Sequence, residues 1–256
     1  MTVRIECRSV AKRYGRKTAV QDVSFAVGQG ERVGIVGESG SGKSTVAKIV
    51  VGLERATSGS VTIDGRELSS LLSTRAGTLE YRRSVQLVAQ DTTSTFDPRH
   101  TIRRSLRAPA QLLAGHDQAR ADEAIAEIVN EIGIAPELVD RYPDELSGGQ
   151  RQRMAIARAL VIRPDLLVCD EAVSALDVSV QGVVLNLLKR YSEQHGAGIL
   201  FVSHGLPATA FLTRELVVMN QGLVVEAGRT LQVLETPQHE YTRSLVAAYR
   251  DVEQAR

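Results

Sequence analysis

Gly37-Glu38-Ser39-Gly40-Ser41-Gly42-Lys43-Ser44 lies between an apolar run, Val33-Gly34-Ile35-Val36, and a helix-compatible stretch from Thr45 to Val51. The octet fits G-x-x-x-x-G-K-[ST], and strand, loop and helix in that order are the setting the pattern needs. Glycines let the backbone wrap a phosphate with no Cβ in the way. Consecutive N–H groups then point inward, and the following helix presents its positive end to an anion. Lys43 is placed to reach the β- and γ-phosphates, and the Ser44 hydroxyl to ligate Mg²⁺. The competing reading is a glycine-rich turn with a solvated lysine, which accounts less well for the strand before it and the helix after it.

Two further apolar runs extend this picture. Leu166-Leu167-Val168-Cys169 ends at Asp170, and Ile199-Leu200-Phe201-Val202 ends at Ser203-His204. Continuous apolar runs of this length suit strands buried on both faces, as in a parallel sheet under helices. In such sheets ligands bind at the carboxyl ends of the strands. An Asp at the position of Asp170 can hold Mg²⁺, and Glu171 is placed as general base or water-orienting group; the alternative is a pair of acids capping a turn. His204 is either a turn residue or, brought in by a neighbouring strand, a γ-phosphate contact. Gln90, after Val85 to Val88, is a weaker candidate of the same kind. Leu146-Ser147-Gly148-Gly149-Gln150 precedes a helical stretch from Arg151 to Leu160. Ser147 can cap that helix and the glycines leave N–H groups open, so the segment is either a second anion site or a plain cap.

The fold this predicts is α/β. Val3 to Cys7, Ala19 to Val27 and Ser60 to Asp64 read as an N-terminal antiparallel β subdomain lying against the parallel sheet. Ile125, Ile128, Val129 and Ile132 share one helix face, and residues 92–163 read as an inserted helical subdomain. After Met219 a small β-turn-β and a last helix are expected. The chain of 256 residues is 43% hydrophobic and 24% charged, with a formal charge of +1. That composition excludes wholesale disorder, and the small charge argues against a nucleic-acid partner. No run of eighteen apolar residues offers a membrane span, and Met1 to Val10 lacks the apolar core of a signal peptide, which predicts a cytosolic chain. Cys7 and Cys169 have no metal-ligand or disulfide-framework spacing; Cys169 reads as a small buried hydrophobe.

With Gly37–Ser44, Leu146–Gln150 and Leu166–Glu171 in this order, the sequence resembles an ATP-binding cassette (ABC) transporter ATPase over nearly its whole length. The resemblance implies a P-loop NTPase core at residues 1–238 with a short tail at 239–256, and ATP and Mg²⁺ as cofactors. It implies Gln90 as a catalytic and metal-facing glutamine, His204 as the switch histidine, Ser174-Ala175-Leu176-Asp177 as the D-loop, and Tyr14 as the aromatic that stacks on adenine. It further implies a head-to-tail dimer in which the phosphate loop of one chain faces Ser147, Gly148, Gly149 and Gln150 of another. Ser174 to Gln181, Phe96-Asp97-Pro98-Arg99 and Pro237-Gln238-His239-Glu240-Tyr241-Thr242 resemble the dipeptide/oligopeptide/nickel importer ATPases. That group implies two membrane permease subunits, an extracytoplasmic solute-binding protein, and a place on the cytoplasmic face of the membrane. Ala172, Thr92 and Glu240 stand where members usually carry Pro, Gly205 where they carry Asp, and Ala89 where they carry an aromatic residue. The phosphate chemistry is untouched by these departures; Ala89 and Thr92 bear on the membrane-coupling surface. Three other readings remain: a soluble, non-transport ABC ATPase, a nucleotide-binding regulatory module that does not turn over, and a small-molecule kinase using the same loop, which would not explain Ser147-Gly148-Gly149. A single cassette without a heptad run speaks against the first, and Glu171 with His204 against the second.

Overall fold

The structure, a computed structural model, describes residues 4–90, 95–174 and 176–254. Val3, Thr92 and Ala175, which enter the reading above, lie outside the described residues.

The described strands are β1 (Arg4–Tyr14), β2 (Lys17–Gly28), β3 (Arg32–Val36), β4 (Ser58–Ile63), β5 (Arg66–Glu67), β6 (Val85–Val88), β7 (Leu166–Asp170), β8 (Gly198–Val202), β9 (Glu215–Asn220) and β10 (Leu223–Arg229). The helices are α1 (Lys43–Val50), α2 (Leu68–Leu71), α3 (Arg75–Ser84), α4 (Ile102–Leu112), α5 (Gln118–Glu131), α6 (Gly148–Leu160), α7 (Val178–His195), α8 (Leu206–Leu212), α9 (Thr230–Glu235) and α10 (Glu240–Gln254).

The strands form one hydrogen-bonded order, β5-β4-β1-β2-β10-β9-β3-β8-β7-β6. β3, β8, β7 and β6 are mutually parallel neighbours. Their apolar runs are explained by burial: every residue of β3 and of β8 is buried, as is β7 up to Cys169. Hydrocarbon side chains on both faces leave no face for water, so helices must cover both.

The antiparallel strands pair as the alternation suggests, β1 with β2 and with β4. They are not a detached layer. β2 meets β10 at Leu223↔Asp22, and Gln21 N–H donates to the Gly222 carbonyl at 2.8 Å. One core, with Ile5, Val20 and Val23 from this part, Ile35, Val168 and Leu200 from the parallel part, and Val46 and Ile49 from α1, joins the two. β1 runs unbroken to Tyr14 through an irregular register between Cys7 and Val10, where Ser9 has φ 46°. Such a bulge sharpens the local twist.

Between β6 and β7 the described residues carry α4, α5 and α6. Thr101 caps α4 and the Asp117 carboxylate caps α5, accepting the Arg120 N–H at 2.9 Å. The buried faces of α4, α5 and α6 share a continuous core with Leu167, Cys169 and Phe201 of the sheet. α7, with 18 residues, follows the acidic end of β7 and packs on the same core. Beyond the β9–β10 hairpin come two helices rather than one, and α10 lies on a third core with Val36, Leu206 and Val218. Both cysteines are buried and free, and burial pushes the Cys7 thiol up to about 12. Among the described residues no helix is long and apolar enough to cross a membrane.

Candidate functional site

The carboxyl ends of four adjacent parallel strands carry the candidate residues. β3 leads into Gly37, β8 into His204, β7 into Asp170-Glu171 and β6 into Gln90. A cavity of about 760 Å³ opens there, lined by the phosphate loop, Gln90, Glu171 and His204 from these ends and by Tyr14 from the end of β1.

The loop is shaped by its glycines. A Cβ at Gly37 would sit 2.1 Å from the Met219 carbonyl oxygen, and one at Gly42 (φ 101°) 2.4 Å from that of Ala19. Only backbone fits there, which lets β9 and β2 close on the loop from behind. Gly42 caps α1 with no side-chain acceptor, so the N–H groups of the first turn remain available for an anion. The Lys43 ammonium is buried beneath the loop and donates to the Gly37 and Glu38 carbonyls, both at 2.8 Å. Burial lowers its pKa, while Glu171, Asp170 and Glu38 act in the opposite direction.

The Ser44 hydroxyl donates to Asp170 Oδ1 at 2.9 Å, joining the start of α1 to the end of β7. Burial raises the Asp170 carboxyl above its ordinary value; the Ser44 hydrogen bond opposes this, and neighbouring Glu171 adds to it. The Ser44 hydroxyl, which lines the cavity, and the Asp170 carboxylate bonded to it are hard-oxygen donors of the kind Mg²⁺ prefers, so the residues fit that ion.

Glu171 has φ 53°, a left-handed conformation uncommon outside glycine. It is held there by neighbours: its N–H donates to the Val202 carbonyl at 2.9 Å, and its own carbonyl accepts the Ser174 hydroxyl at 2.9 Å. His204 Nδ1 lies 2.8 Å from Glu171 Oε2. A carboxylate only accepts, so Nδ1 carries the hydrogen. The Glu171 side chain is 11% exposed and that of His204 59%. A mostly buried carboxylate is thus oriented by an accessible imidazole. Tyr14 is exposed, with the Lys12 ammonium 4.8 Å from its ring centroid and that lysine paired with Glu54 at 2.8 Å.

Ser147, Gly148, Gly149 and Gln150 do not line this cavity, and neither does Asp177. Ser147 and Gln150 form a reciprocal cap at the start of α6: Ser147 Oγ accepts the Gln150 N–H at 3.2 Å, and Gln150 Oε1 accepts the Ser147 N–H at 2.9 Å. Asp177 precedes α7, is exposed, and makes no side-chain cap. Sequence reasoning missed Lys17 and Ala19 at the cavity, which no motif marks. It also missed Leu245 and Tyr249, although their spacing from Tyr241 on one helix face was readable.

A glycine-wrapped lysine, a serine–aspartate pair and a glutamate–histidine pair at the ends of parallel strands define a phosphate-loop nucleotide-binding protein. The chain belongs to the ABC transporter family, whose profile matches residues 20–174. It is 39% identical over 238 residues to the oligopeptide transport ATP-binding protein OppF of Lactococcus lactis subsp. lactis, covering 93% of this chain and 74% of that protein. It is 39% identical over 240 residues to the nickel import ATP-binding protein NikE of Brucella suis biovar 1, covering 94% of this chain and 89% of that protein. A solved dimeric ATP-binding cassette in a post-hydrolysis state with ADP and Pi superposes with a TM-score of 0.79 at 27% identity, covering 88% of this chain and 98% of that one. As a member of the family the chain is a transporter's ATP-binding subunit, an ATPase whose ligands are ATP and ADP.

Proposed function

We propose that the chain hydrolyses ATP in the cavity above β3, β8, β7 and β6 and so energises uptake of a small solute. Lys43 and the loop amides of Gly37 to Thr45 hold the β- and γ-phosphates, and Tyr14 stacks on the adenine. Ser44, Asp170 and Gln90 would hold Mg²⁺, which offsets phosphate charge when bound. Glu171 takes the proton of the attacking water, His204 fixes the carboxylate's orientation, and Gln90 senses the γ-phosphate.

In this reading the site is one half of a sandwich. Ser147, Gly148, Gly149 and Gln150, with Asp177, belong to the site of a second ATPase chain, identical or homologous. Nucleotide favours the closed dimer because its γ-phosphate touches both chains, and hydrolysis removes that contact. Residues 1–238 form the ATPase unit, with 92–163 as the helical part that faces two membrane permease subunits at the cytoplasmic side and 239–256 as a tail whose helix α10 packs back on that unit. An extracytoplasmic binding protein delivers the solute. OppF and NikE favour a di- or oligopeptide, or nickel as ion or chelate, as that solute.

The observation that carries the reading is the Glu171–His204 pair, 2.8 Å apart on the cavity that the phosphate loop lines. The test is phosphate release from Mg-ATP by the chain purified with its membrane subunits in vesicles, alongside uptake of labelled peptide or of Ni²⁺. Coupled release and uptake are expected. Release without uptake of either solute overturns the substrate class, and no release overturns the ATPase itself.

A further inference from the structure

The last helix, α10, touches both working ends of the nucleotide site. Its start is fixed to the sheet: the Glu226 carboxylate on β10 accepts the N–H groups of Gln238 at 2.9 Å and His239 at 3.0 Å. His239 Nδ1 then accepts the Tyr241 N–H at 3.1 Å. From there Tyr241, Leu245, Val246 and Tyr249 follow at i, i+4, i+5 and i+8, one face of a helix. That face packs with Val36, the residue before the phosphate loop, and with Leu206, two residues after His204.

Two phenol groups on this face reach backbone. The Tyr241 hydroxyl accepts the N–H of Glu38, inside the phosphate loop, at 2.9 Å. The Tyr249 hydroxyl donates to the carbonyl of His204. Leu245 and Tyr249 also line the nucleotide cavity itself. Lys43 and Gly222 also bond the loop, and the Ser203 N–H donates to Ile35 beside His204, but the Glu38 N–H and the His204 carbonyl are held by these two hydroxyls, so each bears on where its segment sits.

We propose that α10 is a strap that positions the site, with Tyr241 setting the opening of the phosphate loop and Tyr249 setting the backbone of His204. Through His204, Tyr249 also sets the 2.8 Å contact with Glu171. The two tyrosines are positioning residues: neither needs to touch the reacting atoms. They divide the work, one acting on nucleotide binding and the other on turnover. The proposal rests on the reading of the cavity as the ATP site.

Tyr241→Phe and Tyr249→Phe in the full chain test it, because each keeps the ring on the packed face and removes only the hydroxyl. Losing one such hydrogen bond predicts a three- to ten-fold effect, read as a split between parameters. Tyr241→Phe should weaken ATP binding by that factor and speed amide exchange across residues 37–43, with kcat within about two-fold. Tyr249→Phe should lower kcat by that factor and speed exchange across 203–206, with ATP affinity within about two-fold. A fall in thermal midpoint with kcat, affinity and local exchange unchanged would mean the helix merely packs, and the strap is wrong. Equal loss of both parameters in both variants overturns the division of work. Exchange is measured without nucleotide, so the two readings fail separately: a parent chain that neither binds nor hydrolyses ATP removes the proposed function, whereas unchanged exchange in an active parent removes the strap alone.

Discussion

The phosphate loop and the start of α6 are both glycine-containing helix beginnings, yet they are built in opposite ways. The loop is completed by distant parts of the chain: Asp170 meets Ser44, the Met219 and Ala19 carbonyls press on Gly37 and Gly42, and Lys43 is buried beneath. The α6 start is closed on itself by the Ser147–Gln150 capping box, and both Ser147 and Gly148 are exposed. A Cβ at Gly148 would meet nothing within 4 Å, whereas one at Gly149 would come 2.9 Å from Val180. The first region carries perturbed charges and strained backbone inside one pocket; the second is a satisfied local motif facing outward. A motif that is satisfied by itself and still exposed is free to serve another molecule, which is what the proposed two-chain site requires of it.

The sharpest way to break the comparison is Glu171→Gln. If the pocket does the chemistry, hydrolysis should fall by about 10²–10⁴-fold while ATP still binds. ATP should then shift the variant from monomer to dimer in size-exclusion chromatography. Near-parental hydrolysis would remove Glu171 as the base. Lys43→Ala comes next, with nucleotide affinity expected to drop about 10–100-fold, the range for a lost charge-assisted hydrogen bond, measured by titration calorimetry. Unchanged affinity would take the phosphate away from the loop.

Gly148→Arg probes the other region. Open space at its Cβ predicts a folded chain, with a thermal midpoint within about 2 °C of the parent and ATP binding by the monomer retained. A bulky cation on the proposed joining surface should cut hydrolysis about ten-fold or more and abolish the ATP-induced dimer of Glu171→Gln when the two are combined. Normal hydrolysis by Gly148→Arg would mean that the exposed α6 start serves no second chain.

Local features were legible in the sequence and long-range ones were not. The phosphate loop could be read because strand, loop and helix are contiguous from Val33 to Val51, and the apolar runs because burial on both faces leaves no polar alternation. That His204 and Glu171 are in contact depends on β8 lying beside β7, a pairing that no local pattern encodes. The edge-to-edge join of β2 and β10 rests on one residue pair and two hydrogen bonds from Gln21, one of them from its side chain, and it was beyond reading. In the sequence the Pro237–Thr242 motif carries a family resemblance but no structural role, because its partners Glu226 and Glu38 lie elsewhere in the chain.

The smallest expected effect is the most discriminating about how the pocket is built. Burial raises the Asp170 carboxyl, so the folded chain binds that proton more tightly than the unfolded chain does. For an acid, this sign means a cost in stability that is absent below the unfolded value near 3.8 and grows as pH rises through the folded value. Asp170→Asn keeps an acceptor for the Ser44 hydroxyl and removes the charge. At neutral pH the variant should therefore melt about 2–4 °C above the parent for each kcal/mol relieved, and the gap should close toward pH 3. Hydrolysis should fall at the same time, because the carboxylate is what a cation beside Ser44 requires. A variant that is less stable at pH 7 would show that Lys43 and Lys48 more than offset the burial of the carboxylate. The pocket would then be a stabilising ion cluster rather than a site held ready at the expense of stability, and the contrast with the self-satisfied α6 start would disappear.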